Sequence, residues 1–185
     1  MGASCCRKPE TNTNNYENIN CVISNNNIFN LDKNAKVLDL KNKLKDKSEF
    51  SYFCNKQFPN LENLNLSNNN LSDISELKKL LAPNLKILDL SGNQIEELEV
   101  FGELNFQLEE LYLKGNSIKN LKIFLEANSL QNLRKLRIDN IDYESNKDIL
   151  SKIKEKIKDF DIKSIINDDI IKKQLIHKIS TKSLN

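Results

Sequence analysis

Residues 61–71, LENLNLSNNNL, carry leucine at the first, fourth, sixth and eleventh positions and asparagine at the ninth. The same spacing returns as LKILDLSGNQI at 85–95 and LEELYLKGNSI at 108–118, with isoleucine closing each and starts 24 and 23 residues apart. A fourth unit starts 25 residues further on, where Leu133, Leu136 and Ile138 keep the register and Ile141 stands where the asparagine should be. Three complete matches to LxxLxLxxNxL at a nearly constant period mark a stacked repeat. The missing asparagine marks its last member, which has no following neighbour on which to stack.

Elementary chemistry explains why the pattern repeats. The LxL segment reads as a short strand whose leucines point inward while the residues between them point outward. The asparagine turns the chain, its amide bonding backbone groups that leave the strand and would otherwise be buried unpaired. A buried leucine contributes roughly 1.5–3 kcal/mol, but one unit cannot cover its own leucines, so neighbours must stack. After each turn, Ile74, Leu77, Leu80 and Leu81, then Leu98, Phe101 and Leu104, then Leu121, Phe124 and Leu125 suit a short helix on the opposite side. The expected fold is therefore an α/β leucine-rich repeat solenoid, with parallel strands on the concave face and short helices or irregular segments on the convex face.

Outward from the repeats, residues 21–60 read as an N-terminal cap with a degenerate repeat. CVI and IFNL flank a turn at Asn25–Asn27, AKVLDL imitates a strand, and Phe50, Phe53, Cys54 and Phe58 fall at helical spacing ahead of Pro59. Repeats occupy 61–143. Residues 144–185 read as amphipathic basic helices: Leu150, Ile153, Ile157 and Phe160 step by three and four, and the isoleucines from Ile165 to Ile179 continue an amphipathic pattern. From Ser145 onward ten Lys face six acidic residues. The first of these helices is expected to cap the open end of the solenoid.

Composition narrows the function. Lys and Arg number 28 against 26 acidic residues, a net charge of +2 that gives no general drive toward nucleic acid. Cys5, Cys6, Cys21 and Cys54 have neither disulfide-framework nor zinc-site spacing, so no metal is expected and a reducing compartment fits. No GxxxxGK[ST], GxGxxG, HExxH or GxSxG occurs, and the single histidine, His177, lies in the basic tail without a nucleophile patterned around it. Glu96, Glu97, Glu109 and Glu110 read as a solvated face. No catalysis and no cofactor are expected.

The surface left to work is the outward side of the strands. Alternation places Asn63, Asn65 and Ser67, then Ile87, Asp89 and Ser91, then Glu110, Tyr112 and Lys114, and finally Lys135, Arg137 and Asp139 on it. Tyr and Arg dominate interface energies, which makes Tyr112 and Arg137 the expected centre of a site for another protein, bound by a single copy of this chain.

A second feature is the N-terminus, MGASCCRK. Removal of Met1 exposes Gly2 for myristoylation, and Cys5 and Cys6 lie beside it for palmitoylation, although the usual motif has Ser or Thr where Cys6 stands. Two acyl signals give stable anchoring where one gives marginal binding. Arg7 and Lys8 would add about 1 kcal/mol each at an anionic leaflet. Residues 1–20 then form a lipidated tether, holding the repeats at the cytosolic side of a membrane.

The stretch from Phe58 to Ile118 resembles the leucine-rich repeat domain of the nuclear RNA export factors. APNLKILDLSGN and LEELYLKGNS are the closest parts, and VLDLKNKL at 37–44 resembles the segment that precedes those repeats. The consensus is shared with short-repeat phosphatase-regulating proteins and with acidic nuclear leucine-rich phosphoproteins, whose acidic tail contrasts with the basic one here. The resemblance implies the solenoid fold and, as an alternative function, a nuclear adaptor in mRNA export or RNA processing.

Overall fold

The computed structural model describes residues 31–164. Gly2, Cys5, Cys6, the turn at Asn25–Asn27, the isoleucines from Ile165 to Ile179 and His177 lie outside the described residues. Six parallel strands form one sheet in chain order: β1 (Val37–Asp39), β2 (Asn63–Asn65), β3 (Ile87–Asp89), β4 (Glu110–Tyr112), β5 (Lys135–Ile141) and β6 (Asp159–Ser164). Leu38, Leu64, Leu88, Leu111, Leu136 and Phe160 lie side by side across it. The repeat expected from the sequence is thus present, extended by one strand at each end.

The inward leucines of every unit are buried with the apolar residues of the convex side, including Phe101, Phe106 and Phe124, in one continuous core. The convex connections are short: 3₁₀ turns at Ser75–Lys79, Glu99–Gly102 and Asn128–Leu130, and a single helical turn, α2 (Ile123–Glu126). Leu81 departs from the expected pattern. The turn before it ends at Leu80 in extended backbone, and Leu81 is left 48% exposed.

Buried asparagines hold the units to one another. Asn93 donates from Nδ2 to the carbonyls of Leu66 (3.1 Å) and Leu90 (2.8 Å), and its Oδ1 accepts from the N–H groups of Asn69 (2.9 Å) and Leu71 (3.0 Å). Asn69 makes the equivalent bonds one unit earlier, to the Leu40 and Leu66 carbonyls and the Lys43 and Leu44 amides. Asn116 continues the ladder to Leu90, Leu113 and Ile95. The residue before each of these turns back through left-handed backbone: Asn68 (φ 56), Gly92 (φ 66) and Gly115 (φ 74). At Gly92 a Cβ would stand 1.9 Å from Asn68 Oδ1, so any larger residue there must displace the Asn68 amide as well as adopt left-handed backbone.

The N-terminal side is closed as the phenylalanine spacing indicated. Helix α1 (Lys47–Cys54) buries Phe50, Phe53 and Cys54, and the Phe53 and Phe58 rings stack with centroids 5.4 Å apart. Asp46 caps it, accepting from the Ser48 and Glu49 amides. Lys47 reaches the second repeat, donating to Asp73 Oδ2 at 2.9 Å.

The C-terminal side differs from the expected run of helices. Helix α3 (Tyr143–Lys156) buries Leu150 and Ile153, but the chain leaves helical backbone at Ile157 and residues 159–164 become β6, parallel to β5. The helix is therefore a crossover between two strands, with β6 as the last strand of the sheet. Asp159, Phe160, Asp161, Ile162 and Lys163 alternate polar and apolar, a period of two, and pairing satisfies the N–H and C=O groups that β5 would otherwise leave open.

Two outcomes follow for stability. Replacing Asn93 with Ala strands buried N–H and C=O groups on two repeats, at 1–3 kcal/mol for each unsatisfied group. Denaturant titration should show a loss of about 3 kcal/mol or more, against under ~0.5 kcal/mol for Asn63→Ala on the outward face. The Lys47 ammonium and the Ser75 hydrogen bonds hold the Asp73 carboxyl at about 2, below its ordinary value. A depressed carboxyl stabilises fully above its unfolded pKa near 4 and loses that contribution as pH falls toward 2. Melting temperature should therefore drop more steeply between about pH 4 and 2 in the wild type than in Asp73→Asn.

Candidate functional site

Because the strands are in register, the outward residues form rows across the concave face. The first row runs Val37, Asn63, Ile87, Glu110, Lys135 and Asp159, and the second Asp39, Asn65, Asp89, Tyr112, Arg137 and Asp161. Every expected site residue is on this face: Asn63, Asn65, Ile87, Asp89, Glu110, Tyr112, Lys114, Lys135 and Arg137 are all half-buried. Ser67, expected to point outward, is only 4% exposed, since it stands where the strand enters the Asn69 turn.

Part of the second row has a structural duty that the alternation rule does not disclose. Asp39, Asn65 and Asp89 each accept, through Oδ1, the N–H two residues ahead, at 3.1, 2.9 and 2.8 Å. These are Asx turns that guide the chain off each strand. One oxygen of each aspartate, and the amide nitrogen of Asn65, face outward from that bond.

At the middle of the face, the Tyr112 hydroxyl donates to Glu110 Oε2 at 2.5 Å. Lys135 Nζ lies 3.2 Å from the same oxygen and 5.2 Å from the centre of the Tyr112 ring. Burial, and then the Glu110 carboxylate, push the Tyr112 phenol above its ordinary range, while the Tyr112 hydroxyl and Glu110 hold Lys135 more firmly protonated. The phenol's hydrogen bond is thus spent within the protein. The ring remains as apolar surface.

Arg137 was expected to anchor a partner, but the structure gives it another role. Its guanidinium donates to the Asp159 carbonyl (2.8 Å) and Asp159 Oδ1 (2.6 Å) and approaches Asp161 at 4.0 Å, leaving 19% of the side chain exposed. Lys114 meets Asp161 at 2.6 Å. Both cations clamp β6 to the sheet. The partners of Arg137 belong to a strand that the helical spacing conceals.

What remains is a hollow of about 270 Å³ over β1–β4, bordered by Val37, Asp39, Asn63, Asn65, Ile87, Asp89 and Tyr112. Val37 and Asp39 lie outside the outward face expected from the sequence, because residues 21–60 read as a cap whose repeat is degenerate. The signal was present, since KVLDL repeats the pattern of KILDL at 86–90. Elsewhere the acidic pairs are engaged: Glu96 with Lys119, and Glu109 with Lys86 and Arg134. Among the described residues no group of His, Cys, Asp or Glu is arranged to hold a metal, and no helix is long and apolar enough to cross a membrane.

Comparison with known proteins agrees with this architecture. Residues 59–103 match the family model described as Leucine Rich repeats (2 copies). The chain is 31% identical over 102 residues to the septation initiation network scaffold protein cdc11 of Schizosaccharomyces pombe, covering 55% of this chain and 10% of that protein. It is 35% identical over 111 residues to tubulin-folding cofactor E of Arabidopsis thaliana, covering 59% of this chain and 20% of that one. The chain thus spans a fifth or less of the curated relatives it matches. The repeats are leucine-rich repeats, and such repeats serve as surfaces for binding other proteins.

The ionic clamp has a measurable consequence. Arg137→Ala removes two charge-assisted hydrogen bonds to β6, so the amides of Asp159 and Asp161, which face β5, should exchange with deuterium about tenfold faster or more, while Tyr112→Ala leaves them unchanged.

Proposed function

We propose that this protein is a non-enzymatic interaction module, a scaffold that presents its concave strand face to a protein partner. Acyl chains at Gly2, Cys5 and Cys6 hold it at the cytosolic face of a membrane. The observation that carries the first half is the concave face itself: a rigid six-stranded sheet whose outward rows hold Ile87, Val37 and the Tyr112 ring among polar groups, over a hollow wide enough for side chains. Aromatic and aliphatic anchors surrounded by polar groups are the usual make-up of a protein-binding patch. The scaffold role of the fission-yeast relative, carried in its name, points the same way.

Support for the tether is chemical. Gly2 can accept a myristoyl amide and the adjacent Cys5 and Cys6 thiols can each accept a palmitoyl thioester, which supplies the second chain that stable attachment requires. Arg7 and Lys8 follow directly and would face an anionic leaflet.

Fractionation of cells fed alkyne analogues of myristate and palmitate tests the tether. The wild type should sediment with membranes and carry both labels, whereas Gly2→Ala should lose the myristate label and become soluble. Cys5→Ser with Cys6→Ser should keep myristate but bind membranes only marginally. Equal solubility of the wild type and Gly2→Ala would refute acyl anchoring and leave the interaction surface untouched.

A further inference from the structure

The concave face is electrically divided. On β4–β6 the first two rows neutralise themselves, with Glu110 against Lys135 and Asp159 and Asp161 against Arg137, and Lys114 of the third row adds to Asp161. On β1–β3 the charges of those rows are Asp39 and Asp89. Neither takes part in any of the ion pairs formed among the described residues. Each uses one oxygen for its own Asx turn and keeps the other on the half-buried wall of the hollow, beside Val37, Ile87 and Tyr112. Lys41, in the third row after Asp39, is exposed to solvent rather than turned into this wall.

We infer that the β1–β3 half of the face is the docking site and that its partner is a basic protein segment carrying an aliphatic or aromatic side chain. This rests on the reading of the chain as an interaction module and names the partner's chemistry. Two carboxylates without internal cations attract Lys or Arg, and in a half-buried hollow that attraction is screened less than at open surface. Asp39 and Asp89 stand two strands apart, roughly 10 Å at the usual strand spacing, a gap on which the long side chains of cations four residues apart, on one face of an extended chain, can converge. The apolar side chain between them would settle on Ile87 and Val37. Asn65, between the two aspartates, offers its amide to the segment's backbone. An acidic partner is disfavoured here, and the β4–β6 half offers incoming charge no unneutralised counterpart in its first two rows.

The inference is tested by selecting a displayed library of random linear peptides on the full-length protein, then measuring the enriched peptides by fluorescence anisotropy. Enriched sequences should carry paired Lys or Arg with an apolar residue, and their binding should weaken as salt rises. The Asp39→Asn, Asp89→Asn double variant should bind them about tenfold more weakly, and Ile87→Ala several-fold more weakly. Both asparagines keep the Oδ1 acceptor of the turn, so the melting curve should not move and lost binding reports lost charge. Asp139→Asn is the matched control, because Asp139 is an outward carboxylate away from the hollow that bonds the Gly115 N–H. Its binding should be unchanged. Enriched peptides that are neutral or acidic, or that bind the double variant as well as the wild type, overturn the inference and leave the interaction module standing. If no peptide enriches, a basic linear segment is not the occupant and the inference is overturned, while the interaction module, which also admits a folded partner, stands.

Discussion

Each buried asparagine of the ladder bonds backbone groups of two neighbouring units at once, and the rest of the structure depends on that sharing. Asn93 ties the Leu66 and Leu90 carbonyls together while accepting from Asn69 and Leu71. Leucine burial supplies most of the driving force and forbids a one-residue slip, which would turn the leucines outward, but being non-directional it discriminates less against a shift of two. The asparagine does not tolerate that shift either, because it would leave the amide and its backbone partners unpaired in an apolar core. The ladder therefore fixes the register, and the register decides which outward residues become neighbours.

The end of the ladder explains the asymmetry of the binding face. With Ile141 in place of the asparagine, β5 cannot turn as its predecessors do. It continues through a bulge at Asn140 (φ 57), whose Nδ2 donates to the Asn116 carbonyl at 3.3 Å. The prolonged strand leaves an open edge, and β6 covers it. Covering it brings Asp159 and Asp161 opposite Lys114 and Arg137, which consumes the cations of that half of the face. Among the described residues no comparable strand supplies cations to Asp39 and Asp89, so the two halves differ in charge because their strands are finished differently.

Legibility in the sequence followed the range of the interactions. The repeats, the four central strands and α1 were readable because leucine spacing, the asparagine and the phenylalanine stripe are local signals. The outward rows were readable for the same reason, since alternation needs only neighbouring residues. Strand β6 was not, because Leu150, Ile153, Ile157 and Phe160 continue a helical spacing that the alternation from Asp159 to Lys163 contradicts only in its last few residues. The ion pairs of Arg137 are not legible for the same reason, its partner lying 22 residues away on that strand. The Asx turns of Asp39, Asn65 and Asp89 share their positions with the outward row, so a structural role and a binding role overlap in the same letters.

The placement of the acidic half also bears on how a tether and a docking face would work together. Strand β1 is the first of the sheet, so Val37 and Asp39 are the part of the concave face nearest in sequence to Gly2 and the two acceptor cysteines. An anionic leaflet repels Asp39 and Asp89 and attracts Arg7 and Lys8, which favours a solenoid standing off the membrane on its basic N-terminal residues. The same leaflet concentrates basic segments of other proteins at its surface. A module held there would compete for such a segment with the lipid headgroups, and headgroups offer charge without apolar complementarity. Contacts with Val37, Ile87 and the Tyr112 ring are what the lipid surface could not match, and on the proposed reading they would give the apolar anchors of the hollow the larger part in choosing the partner.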